Sequence, residues 1–157
     1  MKILELFYLS GMTDEFYTGQ WTGYYQYGRT YGDKEGERCE FRVELTVKDG
    51  ELSGEAFEEV TEKHMGAPAT ISGFIEGAMI SMIKQYPFYY QVDEKGEWKI
   101  DRTKRHPSIH YTGYFDPATE TFSGEWDIEK VLERGFFGDE SLHISNGTWE
   151  MQKAPGK

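Results

Sequence analysis

Between Cys39 and Lys48 apolar and polar residues alternate without a break. Cys39, Phe41, Val43, Leu45 and Val47 lie on one side, and Glu40, Arg42, Glu44, Thr46 and Lys48 on the other. A period of two marks a strand with one dry and one wet face. Asp49-Gly50 follows, a pair suited to a two-residue hairpin turn. That turn sets a register in which Val47 faces Leu52, Val43 faces Ala56 and Phe41 faces Glu58. Glu58 is thereby carried onto the apolar face.

A short pattern then recurs along the chain: an apolar residue, Thr or Ser, Gly, any residue, and another apolar one. The copies are Trp21-Thr-Gly-Tyr-Tyr25, Leu52-Ser-Gly-Glu-Ala56, Ile71-Ser-Gly-Phe-Ile75, Tyr111-Thr-Gly-Tyr-Phe115 and Phe122-Ser-Gly-Glu-Trp126. Their irregular spacing excludes a solenoid. In each copy the glycine shares a face with the flanking apolar residues, where it permits the tight coiling that a small closed barrel needs.

Two more reversals complete the frame. Asp116-Pro117-Ala118-Thr119 pairs Phe115 with Phe122, Gly113 with Gly124 and Tyr111 with Trp126. Around Glu76-Gly77 two registers stay open. A two-residue turn puts Ile80, Met82 and Lys84 inside; a three-residue turn including Ala78 puts Met79, Ser81 and Ile83 there. A one-residue slip exchanges the faces completely.

The strands so defined are 20–28, 39–48, 51–58, 70–76, 78–86, 108–116, 120–128 and 147–153, the last opened by a turn at Asn146-Gly147. They predict an all-β chain: an eight-stranded, antiparallel, up-and-down β-barrel. The tight turns are the even connections. The long ones, 29–38, 59–69, 87–107 and 129–146, are the odd connections and must gather at one end. Loops of that length are often ligand lids. Within them, 87–107 is read as an inserted hairpin of Phe88–Val92 and Trp98–Ile100. Ile128 to Arg134 is read as helical, and Phe136-Phe137 as an exposed aromatic pair. Residues 1–19 are read as a brace beneath a barrel of about 20–153, and the whole chain, 1–157, as one domain.

Composition narrows the function. Aromatics at 16% and 18 glycines suit a turn-rich β domain. A net charge of −11 argues against a nucleic-acid partner. The basic run from Lys99 to Arg105 is read as a solvated loop. A single cysteine, Cys39, suits a reducing compartment. The opening apolar stretch is interrupted by Glu5, too early for a signal peptide, and nothing reaches the length of a membrane span. The expected location is cytoplasmic, without a membrane partner.

The order of elements resembles the avidin and streptavidin barrels. The likeness runs from Gly19-Gln-Trp21 through the Leu-Ser-Gly and Ile-Ser-Gly strands. It continues over Ile83-Lys-Gln-Tyr86, Tyr111-Thr-Gly and Glu125-Trp126 to Gly147-Thr-Trp-Glu. It implies a small-ligand barrel that assembles through the half containing strand 78–86. Trp126 matches a pocket tryptophan of that family. Gly23 stands where an Asn is expected, Ala56 for a Tyr, Ile83 and Tyr111 for tryptophans, and Gly147 for an Asp. A ligand other than biotin is therefore expected.

Three functions compete. The first is a binding module whose mouth is lined by Tyr25, Tyr27, Phe41, Glu58, Tyr111, Trp126 and Trp149, with Glu58 reading a donor or cation on a small, partly apolar ligand. The second is a homo-oligomerisation module with a filled barrel. Both faces of 78–86 are apolar, so something must cover the outer one. The third is an enzyme using Glu58 and Tyr111 as acid and base, with Lys84 joining them if the two-residue turn forms. His64, His106, His110 and His143 lack metal-ligand spacing, and neither a metal nor a cofactor is expected.

Overall fold

The computed structural model describes residues 14–134 and 140–155. Strands β1 (Gly19–Tyr27), β2 (Arg38–Lys48), β3 (Glu51–Phe57), β4 (Ala69–Glu76) and β5 (Met79–Gln85) come first. After them come β6 (Tyr89–Val92), β7 (Trp98–Asp101), β8 (Ile109–Asp116), β9 (Thr121–Arg134) and β10 (Glu140–Lys153). Eight of these close a barrel in the order β1-β10-β9-β8-β5-β4-β3-β2, while β6 and β7 pair only with each other. Every neighbouring pair is antiparallel. The expected barrel is the observed one.

The glycine repeat has a direct steric cause. A Cβ on Gly23, Gly54, Gly73, Gly113 or Gly124 would lie 1.9–2.2 Å from a carbonyl oxygen of the adjacent strand. At each of these places the neighbouring backbone crosses where a side chain would stand, which is how a barrel this narrow turns its corners.

The predicted registers of the first and third hairpins hold: Val47 faces Leu52 and Val43 faces Ala56, while Tyr111 faces Trp126. Only Phe41–Glu58 fails as a ladder pair, because β3 ends with Phe57 opposite Arg42. The open register resolves to a two-residue turn at Gly77-Ala78, with Ile75 opposite Ile80. Ile80, Met82 and Lys84 therefore face inward and are buried.

The seventh connection differs from the reading. β9 continues to Arg134 and β10 begins at Glu140, so Ile128–Arg134 is strand rather than helix. The ladder slips between these strands: His143 faces Lys130 but Ser141 faces Glu133, leaving an extra residue on β9. Such a bulge breaks the period of two by which a strand is recognised. Phe136-Phe137 lies outside the described residues. Asn146-Gly147 is no turn either, since both residues are paired within β10. Gly147 is required there because a Cβ would sit 1.9 Å from the Gln26 carbonyl oxygen.

At the tight-turn end a single helical turn, α1 (Asp14–Tyr17), lies across the barrel floor. The Asp14 carboxylate accepts hydrogen bonds from the Asp49 and Gly50 amides at 2.7 and 3.3 Å. The Tyr17 ring meets Phe115 and Phe122 at 5.8 and 5.7 Å. Trp21, Ile80, Phe122 and Met151 fill the space above with no solvent exposure. The lower barrel is solid.

Candidate ligand site at the barrel mouth

The upper interior is different because the same inward positions carry polar atoms. Glu58 leaves the end of β3 yet still points inward, and its backbone is pinned by the Thr61 hydroxyl, which accepts from the Glu58 amide at 2.9 Å. Across the barrel, Lys84 on β5 donates to Glu58 Oε2 at 2.5 Å, and both side chains are 3% exposed. Tyr86, one inward step further along, donates to Glu58 Oε1 at 2.6 Å, and Tyr25 of β1 donates to the same oxygen at 3.1 Å. The Lys84 ammonium lies 4.6, 4.8 and 5.2 Å from the ring centres of Tyr25, Tyr86 and Tyr111. A buried charge is tolerated only when paired and hydrogen-bonded, and the tyrosines complete the shell.

Burial, followed by the nearby Glu58 carboxylate, holds the hydroxyls of Tyr25, Tyr86 and Tyr111 well above the usual tyrosine range. Each therefore stays a neutral donor at physiological pH.

Above this floor opens a cleft of about 930 Å³. One wall is Tyr27 and Trp126 with Tyr31 of the β1–β2 connection, whose rings lie 4.4–6.2 Å apart. The facing wall is Tyr86, Tyr90 of β6 and His106, where Tyr90 and His106 stack at 5.0 Å. Tyr111 lies among the lining residues as well. The β6–β7 hairpin forms the roof, and Trp98 of β7 stacks between Tyr90 at 5.9 Å and His64 at 4.7 Å.

Of the residues singled out by the sequence, Tyr25, Tyr27, Tyr111 and Trp126 line the cleft. Glu58 lies beneath it, taken by Lys84, Tyr25 and Tyr86 instead of by a ligand. Trp149 fills the barrel lower down, its indole N–H 3.1 Å from the carbonyl oxygens of both Thr112 and Glu125. Phe41 does not line this cleft; with Tyr25 and Glu58 it borders a second opening on the β1–β2 side. The Glu58–Tyr111 acid/base pair does not form as a hydrogen bond. Ile83 points outward and is 39% exposed, so it cannot occupy a pocket tryptophan's place. Tyr31, Tyr86, Tyr90 and His106 were missed. Tyr86 was within reach, as the next inward step after Lys84. The others come from connections, where no period reports direction.

What these elements define is a closed eight-stranded barrel with a tyrosine-lined cup at its long-loop end. No protein-family description and no curated protein matches the chain. Among solved structures it is similar to rhizavidin, at 13% identity over 95% of each chain with a TM-score of 0.48. It is also similar to the chain in a rhizavidin–biotin complex, at 14% identity over 89% of this chain and 94% of that one, TM-score 0.43.

Proposed function

We propose that this chain is a non-enzymatic binding module that holds a small, partly apolar ligand in the barrel mouth, and that the ligand is not biotin. The observation that carries the reading is the cleft itself: about 930 Å³ of space between two aromatic walls, above a floor whose charges are already neutralised. Concave, aromatic sites with few polar groups are the usual form of small-molecule pockets. Against biotin stand Gly23 and Gly147, where crossing backbone leaves no room for a polar side chain. Catalysis is disfavoured because the carboxylate that would serve as base is fully engaged. A cytoplasmic location belongs to the same proposal and rests on the lone, unpaired Cys39.

A second reading, self-association through the outer face of β5, has its own support. Phe74, Ile83 and Tyr114 are 43%, 39% and 66% exposed there. The strand ladders set them around Ser72, Ser81 and Thr112, with no carboxylate between them. A chain of net charge −11 that leaves such a face uncharged has a surface fit for a second copy of itself.

Native mass spectrometry of freshly purified protein tests both. The expected spectrum shows a dimer or higher oligomer carrying a co-purified small molecule, and added biotin leaves it unchanged. A bare chain that takes up biotin contradicts the first reading. A monomer at every concentration contradicts the second.

A further inference from the structure

Among the groups lining the cleft, the Tyr111 hydroxyl stands deepest against the neutralised floor and is not used by the described side chains. Tyr111 is 4% exposed and lines the cleft, yet its hydroxyl has no hydrogen-bond partner among the described residues. Its neighbours are otherwise committed: the Tyr25 and Tyr86 hydroxyls bind Glu58, and the Trp126 indole N–H donates to the Gln26 carbonyl at 3.1 Å. The Tyr111 hydroxyl is not one of the fully enclosed unpartnered atoms; it opens onto the cleft, where an acceptor on a guest can meet it. We infer that the ligand is a flat, uncharged aromatic molecule bearing a carbonyl oxygen, and that the Tyr111 hydroxyl donates to that oxygen.

The shape follows from the walls. Tyr27, Tyr31 and Trp126 stand on the β1 and β9 side, and Tyr86, Tyr90 and His106 on the β5 side. β1 and β5 are opposite strands of the closed order. Rings on two opposed sides favour a flat guest that can stack. The charge follows from the floor. Lys84 and Glu58 neutralise each other below the cleft, and neither lines it. At the rim Lys34, Lys95 and Lys99 offset Asp93, Glu94 and Glu97, three charges of each sign, and the lining beneath is phenols, an indole, an imidazole, Pro107, Ile109 and Ile128. A charged guest would find no counter-charge at that depth, whereas a neutral acceptor finds a donor. With burial and Glu58 both keeping the Tyr111 proton in place, that donor persists throughout the physiological range.

This inference rests on the mouth being a ligand site, and the experiment separates the two. The full chain is titrated with methoxycoumarin, a flat neutral lactone, with methoxynaphthalene, which has similar shape and no carbonyl, and with laurate, following tryptophan and probe fluorescence. Methoxycoumarin is expected to bind several-fold tighter than methoxynaphthalene. Tyr111→Phe is expected to weaken methoxycoumarin about threefold to tenfold, the loss of one hydrogen bond, and to leave methoxynaphthalene unchanged. Equal binding of the two aromatic probes by the unmodified chain overturns the inference, and needs no variant that must fold. A methoxycoumarin preference that survives Tyr111→Phe overturns the role of Tyr111. Binding of laurate alone overturns the inference while leaving the mouth as a small-ligand site. Failure of all three probes removes that reading as well.

Discussion

The two halves of this barrel are built by one alternation and have opposite interiors. In the lower half the inward residues are Trp21, Leu45, Ile80, Phe122 and Met151, sealed below by Tyr17 of α1. In the upper half the same strands present Tyr25, Lys84, Tyr111 and Trp126, with Glu58 reaching in from the end of β3. Alternation decides only which side chains point inward. What they do there depends on whether polar atoms can find one another across the lumen. Below, nothing polar needs a partner and packing closes the space. Above, an ion pair and two phenols satisfy each other, and the space left over opens to the long connections.

The contrast can be broken at either end, and the two largest effects fall one in each half. Phe122→Ala removes a fully buried ring and should destabilise the fold by about 3–5 kcal/mol in urea titrations. Glu58→Ala strands the Lys84 ammonium and should cost about as much, roughly 3–5 kcal/mol. The two sites differ in how they can be repaired. Glu58→Leu combined with Lys84→Met should recover part of the loss, because an apolar pair replaces the buried ion pair at little net cost while the Tyr25 and Tyr86 hydroxyls lose their acceptor. If the double variant is as unstable as the single one, the upper floor depends on its charges for more than mutual compensation.

A smaller effect concerns alkali. The folded-state pKa values of Tyr25, Tyr86 and Tyr111 are raised above the ordinary value of 10.0. Above pH 10 the unfolded chain releases those protons while the folded chain keeps them. Their contribution is therefore complete below about pH 10 and declines as pH rises beyond it. Absorbance at the phenolate band should show the exposed tyrosines titrating first, with the remainder appearing only as the protein unfolds. Smooth titration of every tyrosine in a folded chain would place the upper cluster in contact with water.

Much of this was legible in the sequence. The register from Val43 to Ala56 and from Tyr111 to Trp126 could be counted outward from Asp49-Gly50 and Asp116-Pro117, because turns fix pairing locally. The gathering of long connections at one end followed from parity alone. The partner of Glu58 did not follow, since the face of Lys84 hung on a turn whose length two glycine-flanking registers could supply. The extension of β9 and β10 was hidden by the bulge between Ser141 and His143. Tyr31, Tyr90 and His106 belong to connections and to the inserted hairpin, and tertiary packing alone brings them over the mouth.

The four tryptophans sample the contrast by depth: Trp21 in the solid base, Trp149 above it, Trp126 in the cleft wall and Trp98 in the roof. Their indole N–H signals in a nitrogen-15 correlation spectrum, recorded during titration with methoxycoumarin, test the central claim most directly. The account predicts that Trp126 and Trp98 shift in a saturable way while Trp21 stays fixed. Shifts at Trp21 equal to those at Trp126, or none at Trp126 while the ligand binds, would contradict a cup resting on a closed base.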